Sequence, residues 1–366
     1  MATKQALRRT WFQVHKWTGL LLAALIIPIS FTGAVLVWHE ELEPWIDPAR
    51  FATSGEATIA PDAYLAAARA VVKPGDRIAT LAMPEHGGPV VVSAAPDKAP
   101  ARPGPPQRTN VYLDPPTARV LEVAPGNAGI MRVFHVLHGS LLIPGVGRQI
   151  VGWIGVAMML SAMTGLWLWF PPMGRWTRGF RWKRHPNTDT NLHYQFGFWI
   201  ALPLFVLSLT GAWISFPAFF GRVSGEAPGG GQRERQAAAR ARPVEATRLD
   251  VGQVLAAAGG GAVRQVAWPT EKKPEWTVRF ERGQALVNDR TGAVTREAGP
   301  QQAGVMRLMR RIHDGTGMGL VWRWVIFLGG MIPVGLAVTG VIMWWRARGW
   351  RAKVAANRRP RVRATA

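Results

Sequence analysis

The chain has 366 residues, a formal net charge of +22, 18 Trp, 40 Gly and no Cys. Without Cys there are no disulfides, thiolate metal sites, Cys-held iron–sulfur clusters or C-x-x-C-H haem attachments, so metal chemistry must use His, Asp, Glu or Met. Only 18% of residues are charged and 48% are hydrophobic, which argues against an ordinary soluble protein.

Residues 1–16 form a basic N-terminal segment with Lys4, Arg8, Arg9 and Lys16. Trp17 to His39 then contains no Asp, Glu, Lys or Arg. A bilayer needs about 20 apolar residues, so 17–39 is a first span. It is too long for a signal peptide and has no small-residue cleavage pattern. Glu40, Glu41 and Glu43 follow, as a solvated collar or a cation or substrate site.

Residues 40–130 read as a small α+β module. Pro61–Val72 is helix-like. Arg77–Met83, Pro89–Ser93, Asn110–Leu113 and Ala118–Val123 are strand-like. Asp114-Pro115-Pro116-Thr117 is a hairpin turn. Pro96–Arg108 is a polar, Pro-rich linker expected to be mobile. Residues 131–147 form a helix bearing His135 and His138, which Pro144-Gly145-Val146-Gly147 separates from the second span at 148–170.

A basic loop, 171–190, leads to a third span at 191–217. A second α+β module covers 218–305, with a mobile linker at 222–243. It offers a helix at Leu249–Ala258 and strands at Ala262–Ala267, Glu275–Phe280, Gln284–Asn288 and Ala293–Arg296, with a turn at Asp289–Gly292. Residues 306–345 hold another His-bearing helix and the fourth span, with Gly315, Gly317 and Gly319 as a break. A basic tail, 346–366, ends the chain.

The basic charge clusters in 1–16, 171–190 and 346–366. The positive-inside rule makes these segments, and both termini, cytoplasmic. The two α+β modules are then outside, in the periplasm if the membrane is a bacterial inner membrane. The charge is a topology signal and an attraction to anionic lipid, and nucleic acid is not an expected partner.

The halves repeat. His15 precedes Gly33 by 18 residues, and His193 precedes Gly211 by the same 18. His138 precedes Gly165 by 27, and His313 precedes Gly340 by the same 27. Each of these glycines follows a Thr. This predicts two parallel repeats about a pseudo-two-fold axis along the membrane normal. The axis pairs His15 with His193 at one depth, and His138 with His313 at the other. Opposed imidazoles suit a bis-His b-type haem in a bundle core. The alternative is that they cap spans at the interface. The Thr–Gly pairs make room for a porphyrin, or are packing contacts. His135 is a second candidate for the outer ligand. His39 is a residue that could line the outer site. His86 and His185 read as solvated. No phosphate-cradling, dinucleotide, H-E-x-x-H or nucleophile-elbow motif occurs.

Val14-His15-Lys16-Trp17-Thr18-Gly19-Leu20, Phe31-Thr32-Gly33, Leu137-His138-Gly139, Thr164-Gly165-Leu166-Trp167-Leu168-Trp169, Leu192-His193-Tyr194, Leu209-Thr210-Gly211, Ile312-His313-Asp314-Gly315 and Thr339-Gly340 with Trp344 together resemble the PepSY-associated transmembrane family. The outer modules look like PepSY domains. The family includes dihaem inner-membrane ferric-siderophore reductases. The resemblance implies two haem b groups, with His15 and His193 as axial ligands of the cytoplasmic-side iron, and His138 and His313 of the periplasmic-side iron. It implies a ferric siderophore or other ferric chelate as substrate, and quinol or a cytoplasmic reductase as electron donor. Other readings are a cytochrome b subunit exchanging electrons with quinol or a periplasmic partner, a non-redox PepSY membrane protein binding peptide or metal, and a transporter. Four helices without mid-membrane charge disfavour the last.

Overall fold

The computed structural model describes residues 2–84, 87–96, 107–171, 175–225, 241–281, 283–297 and 304–357. They divide into two compact units. One comprises 1–38, 133–224 and 304–366; the other comprises 39–132 and 225–303.

The first unit is helical. Its long elements are α1 (Ala2–Leu36), α5 (Gly147–Trp169), α6 (Thr188–Ser215) and α10 (Gly319–Asn357). Among the described residues, four helical stretches are long and apolar enough to cross a membrane: Lys4–Leu36, Gly147–Trp169, Thr188–Ser215 and Gly319–Trp350. α1 packs against α5 and α10, and α6 packs against the same two, so the helices form a ring with α1 opposite α6. Ile26, Ile29, Ile154 and Met158 fill a core between α1 and α5. Large apolar side chains stay outside: Leu21 is 70% exposed, Leu202 71% and Val321 81%. In water such a surface would drive aggregation, whereas lipid covers it without cost.

The helices do not end where the charge-free runs end. α1 starts at Ala2 rather than near residue 17, because Ala2–Lys16 is rich in good helix formers and has no Pro or Gly. It stops at Leu36, and His39 opens a separate helix, α2 (His39–Ile46), in the other unit. α6 ends at Ser215, because Pro217 starts the short helix α7 (Pro217–Val223). α10 continues through Asn357, so the basic tail begins as helix.

Two short helices bear the remaining paired histidines. α4 (Ile130–Ser140) is separated from α5 by a loop in which Leu141, Leu142 and Gly145 have positive φ. α9 (Val305–Asp314) ends at Gly315, whose φ of 83° is the left-handed cap that favours glycine. Residues 306–345 are therefore two helices, as the glycine run suggests.

The second unit is built on one eight-stranded antiparallel sheet. Its strands are β1 (Arg77–Ala82), β2 (Val90–Ala95), β3 (Thr109–Leu113), β4 (Val120–Pro125), β5 (Val263–Ala267), β6 (Glu275–Phe280), β7 (Gln284–Asn288) and β8 (Val294–Glu297). The order is β4-β3-β2-β1-β5-β6-β7-β8, two mirrored meanders joined at β1 and β5. Leu81 pairs with Val266 at the centre of the join. Around it, Met83 N–H donates to Arg264 O at 3.0 Å, and Trp268 N–H to Ala79 O at 2.9 Å. The two modules expected as separate bodies thus share one sheet. Joined, β1 and β5 satisfy backbone groups that two open edges would leave unpaired.

Helices α3 (Pro61–Val71) and α8 (Val251–Ala258) cover one face. Pro61 starts α3 at a position where a missing N–H costs nothing. Asp250 and Gln253 form a reciprocal capping box on α8. The core between helices and sheet holds Tyr64, Leu81, Val92, Val254 and Trp276. Most of both linkers, 97–106 and 226–240, lies outside the described residues.

Candidate functional site

Four histidines converge in pairs within the helical unit. His15 lies on α1 and His193 on α6, across the ring, with ring centroids 6.4 Å apart and planes at 84°. His138 on α4 faces His313 on α9, with centroids 5.9 Å apart and planes at 38°. All four are half-buried.

Each imidazole is gripped through Nδ1 by a neighbouring helix. His15 Nδ1 lies 3.1 Å from Ser161 O and 3.2 Å from Thr164 Oγ1, both on α5. His193 Nδ1 lies 2.9 Å from Thr339 Oγ1 on α10. His138 Nδ1 lies 2.9 Å from Ile29 O on α1. His313 Nδ1 lies 3.1 Å from Leu207 O and 3.0 Å from Thr210 Oγ1 on α6. Carbonyls only accept. Thr164, Thr210 and Thr339 already donate their hydroxyl protons to carbonyls one turn back. Nδ1 must therefore carry the proton and donate, which leaves the Nε2 lone pair available. Among the described residues no hydrogen bond engages Nε2 of these four.

Glycine makes the grip possible. A Cβ at Gly33 would lie 2.6 Å from His138 Cε1, at Gly165 2.9 Å from His15 Cε1, and at Gly211 3.0 Å from His313 Cε1. Gly340 is looser, at 3.6 Å from His193 Cε1. The Thr–Gly pairs are thus histidine seats. Thr32-Gly33 and Thr210-Gly211 serve the His138–His313 pair, and Thr164-Gly165 and Thr339-Gly340 serve His15 and His193.

Burial first, and for His313 the facing His138, push the imidazole pKa of this pair down, so both rings are neutral at pH 7. Neutral imidazoles whose Nε2 lone pairs make no hydrogen bond have the donor chemistry to hold a metal. Each pair supplies only two donors. Among the described residues no group of three or more His, Asp or Glu side chains converges on a point where a metal could sit.

The other histidines do not join these pairs. His135 is exposed on α4, one turn before His138. His39 is exposed and belongs to the sheet unit. His185 is exposed, and its Nδ1 accepts from Asn187 N–H at 3.3 Å. His86 lies outside the described residues.

Sequence reasoning missed two supports. The carbonyls of Ile29, Ser161 and Leu207 each stand four residues before a seat glycine, and only the equal His–Gly spacings hinted at them. Arginines also close two helix ends. Arg323 donates to Val37 O at 2.7 Å beside the end of α1, and Arg148 donates to Ile214 O at the end of α6. Both place a cation where the helix dipole is negative.

The family model for the PepSY-associated TM region matches residues 12–347. The chain belongs to this family. The match takes in all four histidines, all four seats and both sheet halves. No curated protein matches the chain. Among the described residues of this chain, the four paired histidines are arranged so that they could hold a cofactor.

Proposed function

We propose that the protein is a b-type dihaem electron-transfer protein of the bacterial inner membrane that reduces ferric chelates, such as ferric siderophores, on the periplasmic side. In this reading His15 and His193 hold one haem iron and His138 and His313 hold the other. The observation that carries it is the pair of facing imidazole couples with Nδ1 engaged and Nε2 free.

The spacing fits. Two imidazoles bound to one metal ion at about 2 Å per bond put their ring centres roughly 6 Å apart. The observed 6.4 and 5.9 Å bracket that value. The donor chemistry fits as well, because bis-His ligation needs two neutral imidazoles and no third protein ligand.

When bound, each haem supplies a one-electron Fe(III)/Fe(II) couple. The chain's own residues do the rest. Thr and carbonyl oxygens fix the Nδ1–H tautomer and leave Nε2 available. The seat glycines let the rings lie against neighbouring helices. The charge-free stretches of the helices would exclude water between the two depths. One electron delivered to a ferric chelate gives Fe(II), which hard-oxygen ligands hold more weakly, so the metal is released. Quinol or a cytoplasmic reductase is the donor.

This reading also takes the chain as a duplication. His15, Thr164, Ile29 and His138 have counterparts in His193, Thr339, Leu207 and His313, with the same contacts. The mirrored sheet order supports two PepSY-like halves. Basic residues in 1–16, 171–190 and 346–366 support cytoplasmic termini.

The test is an absorption spectrum of the detergent-purified protein, oxidised and dithionite-reduced, with pyridine haemochrome quantitation. The expected result is about two low-spin b haems per chain. Trapping of Fe(II) by a colorimetric chelator, with reduced protein and a ferric hydroxamate, tests the substrate. Colourless protein from haem-replete cells overturns the reading.

A further inference from the structure

A hollow of about 430 Å³ opens beside the start of α6, lined by Trp182, Lys183, Arg184, His185, Thr188 and Asn191. It lies at the His193 end of the helical unit. No part of the proposed electron path uses it.

The hollow has a built wall. Asn191 is buried, and its Oδ1 accepts from the N–H groups of Arg184 and His185 at 3.0 and 2.9 Å. Its Nδ2 donates to His185 O at 2.7 Å. One amide thus staples the loop back onto α6. Arg184 is pinned as well, donating to Trp169 O at 3.0 Å and lying over the Trp169 and Tyr194 rings. Lys183 and His185 stay exposed at the rim.

The rim is cationic and nothing on it is acidic. The nearby carboxylate, Asp189, is taken by Arg346 at 2.7 Å. An anion fits here, and one pinned cation, Arg184, with the exposed ammonium of Lys183 and the Thr188 hydroxyl suits phosphate oxygens. The surroundings select the source. Trp182 is 52% exposed at the rim, and Phe180 and Trp199, 38% and 67% exposed, touch one another with ring centroids 6.2 Å apart. Trp199 lies within α6, a membrane-crossing helix. A basic hollow beside an exposed aromatic wall on a span is what a lipid with an anionic head and an apolar tail requires. A free phosphate would use the hollow and leave the wall unexplained.

We propose that this hollow binds the phosphate of an anionic phospholipid head group, with the acyl chains lying along Phe180 and Trp199.

The test is native mass spectrometry of the full-length protein in non-ionic detergent. Three versions are compared: wild type, Lys183→Glu, and Arg178→Glu. Arg178 is exposed on the neighbouring short 3-10 turn and does not line the hollow. Lys183 is exposed too, so its reversal leaves the Asn191 staple in place, and an unchanged melting temperature checks this. Each protein receives palmitoyl-oleoyl phosphatidylglycerol, the phosphatidylcholine with the same chains, or inorganic phosphate. Wild type is expected to retain phosphatidylglycerol at least tenfold over phosphatidylcholine. Lys183→Glu is expected to lose that preference, and Arg178→Glu to keep it. Equal losses in both variants mean diffuse charge attraction and overturn the site. Retention of inorganic phosphate without preference for phosphatidylglycerol overturns the lipid assignment.

Discussion

The ring of His138 lies on Gly33 so closely that a Cβ there would stand 2.6 Å from Cε1 and 2.9 Å from Nδ1. The contact has a sharp consequence for Gly33→Ala. Alanine is the better helix former by about 1 kcal/mol, so propensity alone predicts a more stable α1. The methyl group must instead push the imidazole off Ile29 O and away from His313. If the pairs hold haem as proposed, Gly33→Ala is expected to lower haem content from about two per chain towards one. Gly340→Ala, where the corresponding distance is 3.6 Å, is expected to retain both. Pyridine haemochrome quantitation reads the difference. Equal haem content in the two variants would contradict the seat.

His138 and His135 share α4, but only His138 faces His313. On the dihaem reading, His138→Ala is expected to remove one low-spin haem and keep the other. His135→Ala is expected to keep both. Low-temperature difference spectra, which separate overlapping b bands, provide the readout. Loss of a haem in the His135 variant alone would reverse the assignment.

How much of this could be read from the chain follows from the range of each interaction. The spans were legible because a bilayer imposes a length and a lack of charge on a continuous stretch. The histidine pairs were legible because two equal spacings repeat. Strands β6 and β7 were legible to the residue, each flanked by turn residues. The join of β1 to β5 was not, since pairing between strands so far apart leaves no local mark. The His138 seat was half legible. Its depth followed from residue counting, but the role of Ile29 O depends on how α4 returns to α1 after the whole first sheet half. The start of α1 at Ala2 was not legible from the charge-free run, because charge marks where lipid ends and says nothing about where helix ends.

Two further glycines set how closely the long helices approach. A Cβ at Gly330 on α10 would lie 2.6 Å from Ser30 O of α1, whereas one at Gly155 on α5 would lie 3.2 Å from Ser208 O of α6. Backbone oxygen cannot rotate away. Gly330→Ala is expected to force α1 and α10 apart and cost about 1–3 kcal/mol, more than the helix-propensity gain of about 1 kcal/mol. Gly155→Ala needs a shift of a few tenths of an ångström, and the two effects nearly cancel. Thermal melts in detergent should rank Gly330→Ala clearly below wild type and Gly155→Ala beside it. The reverse order would mean that these contacts do not limit the packing.

Asp114 and Asp289 occupy matching turns after β3 and β7, and both tie the chain to the sheet. Asp114 accepts from Ser54 N–H and Ser54 Oγ at 2.7 Å each, and from Thr117 Oγ1 at 2.5 Å. Asp289 accepts from Arg248 N–H at 3.0 Å, Leu249 N–H at 3.2 Å and Trp276 Nε1 at 2.8 Å. Burial alone would raise both pKa values, but the hydrogen bonds outweigh it and hold both carboxyls below the ordinary 3.8. A carboxylate with a depressed folded-state pKa stabilises the fold fully above its unfolded value, and that contribution fades as pH falls below 3.8 towards the folded value. Asp114→Asn is therefore expected to cost about 1–3 kcal/mol at pH 7, because an amide nitrogen meets donors in place of a carboxylate oxygen. The gap between wild type and variant should narrow as pH drops from 5 to 2, since only wild type has this charge to lose. Calorimetric melts of the full chain across that range test the sign. A gap that stays constant would show that the Asp114 hydrogen bonds stabilise its protonated form equally.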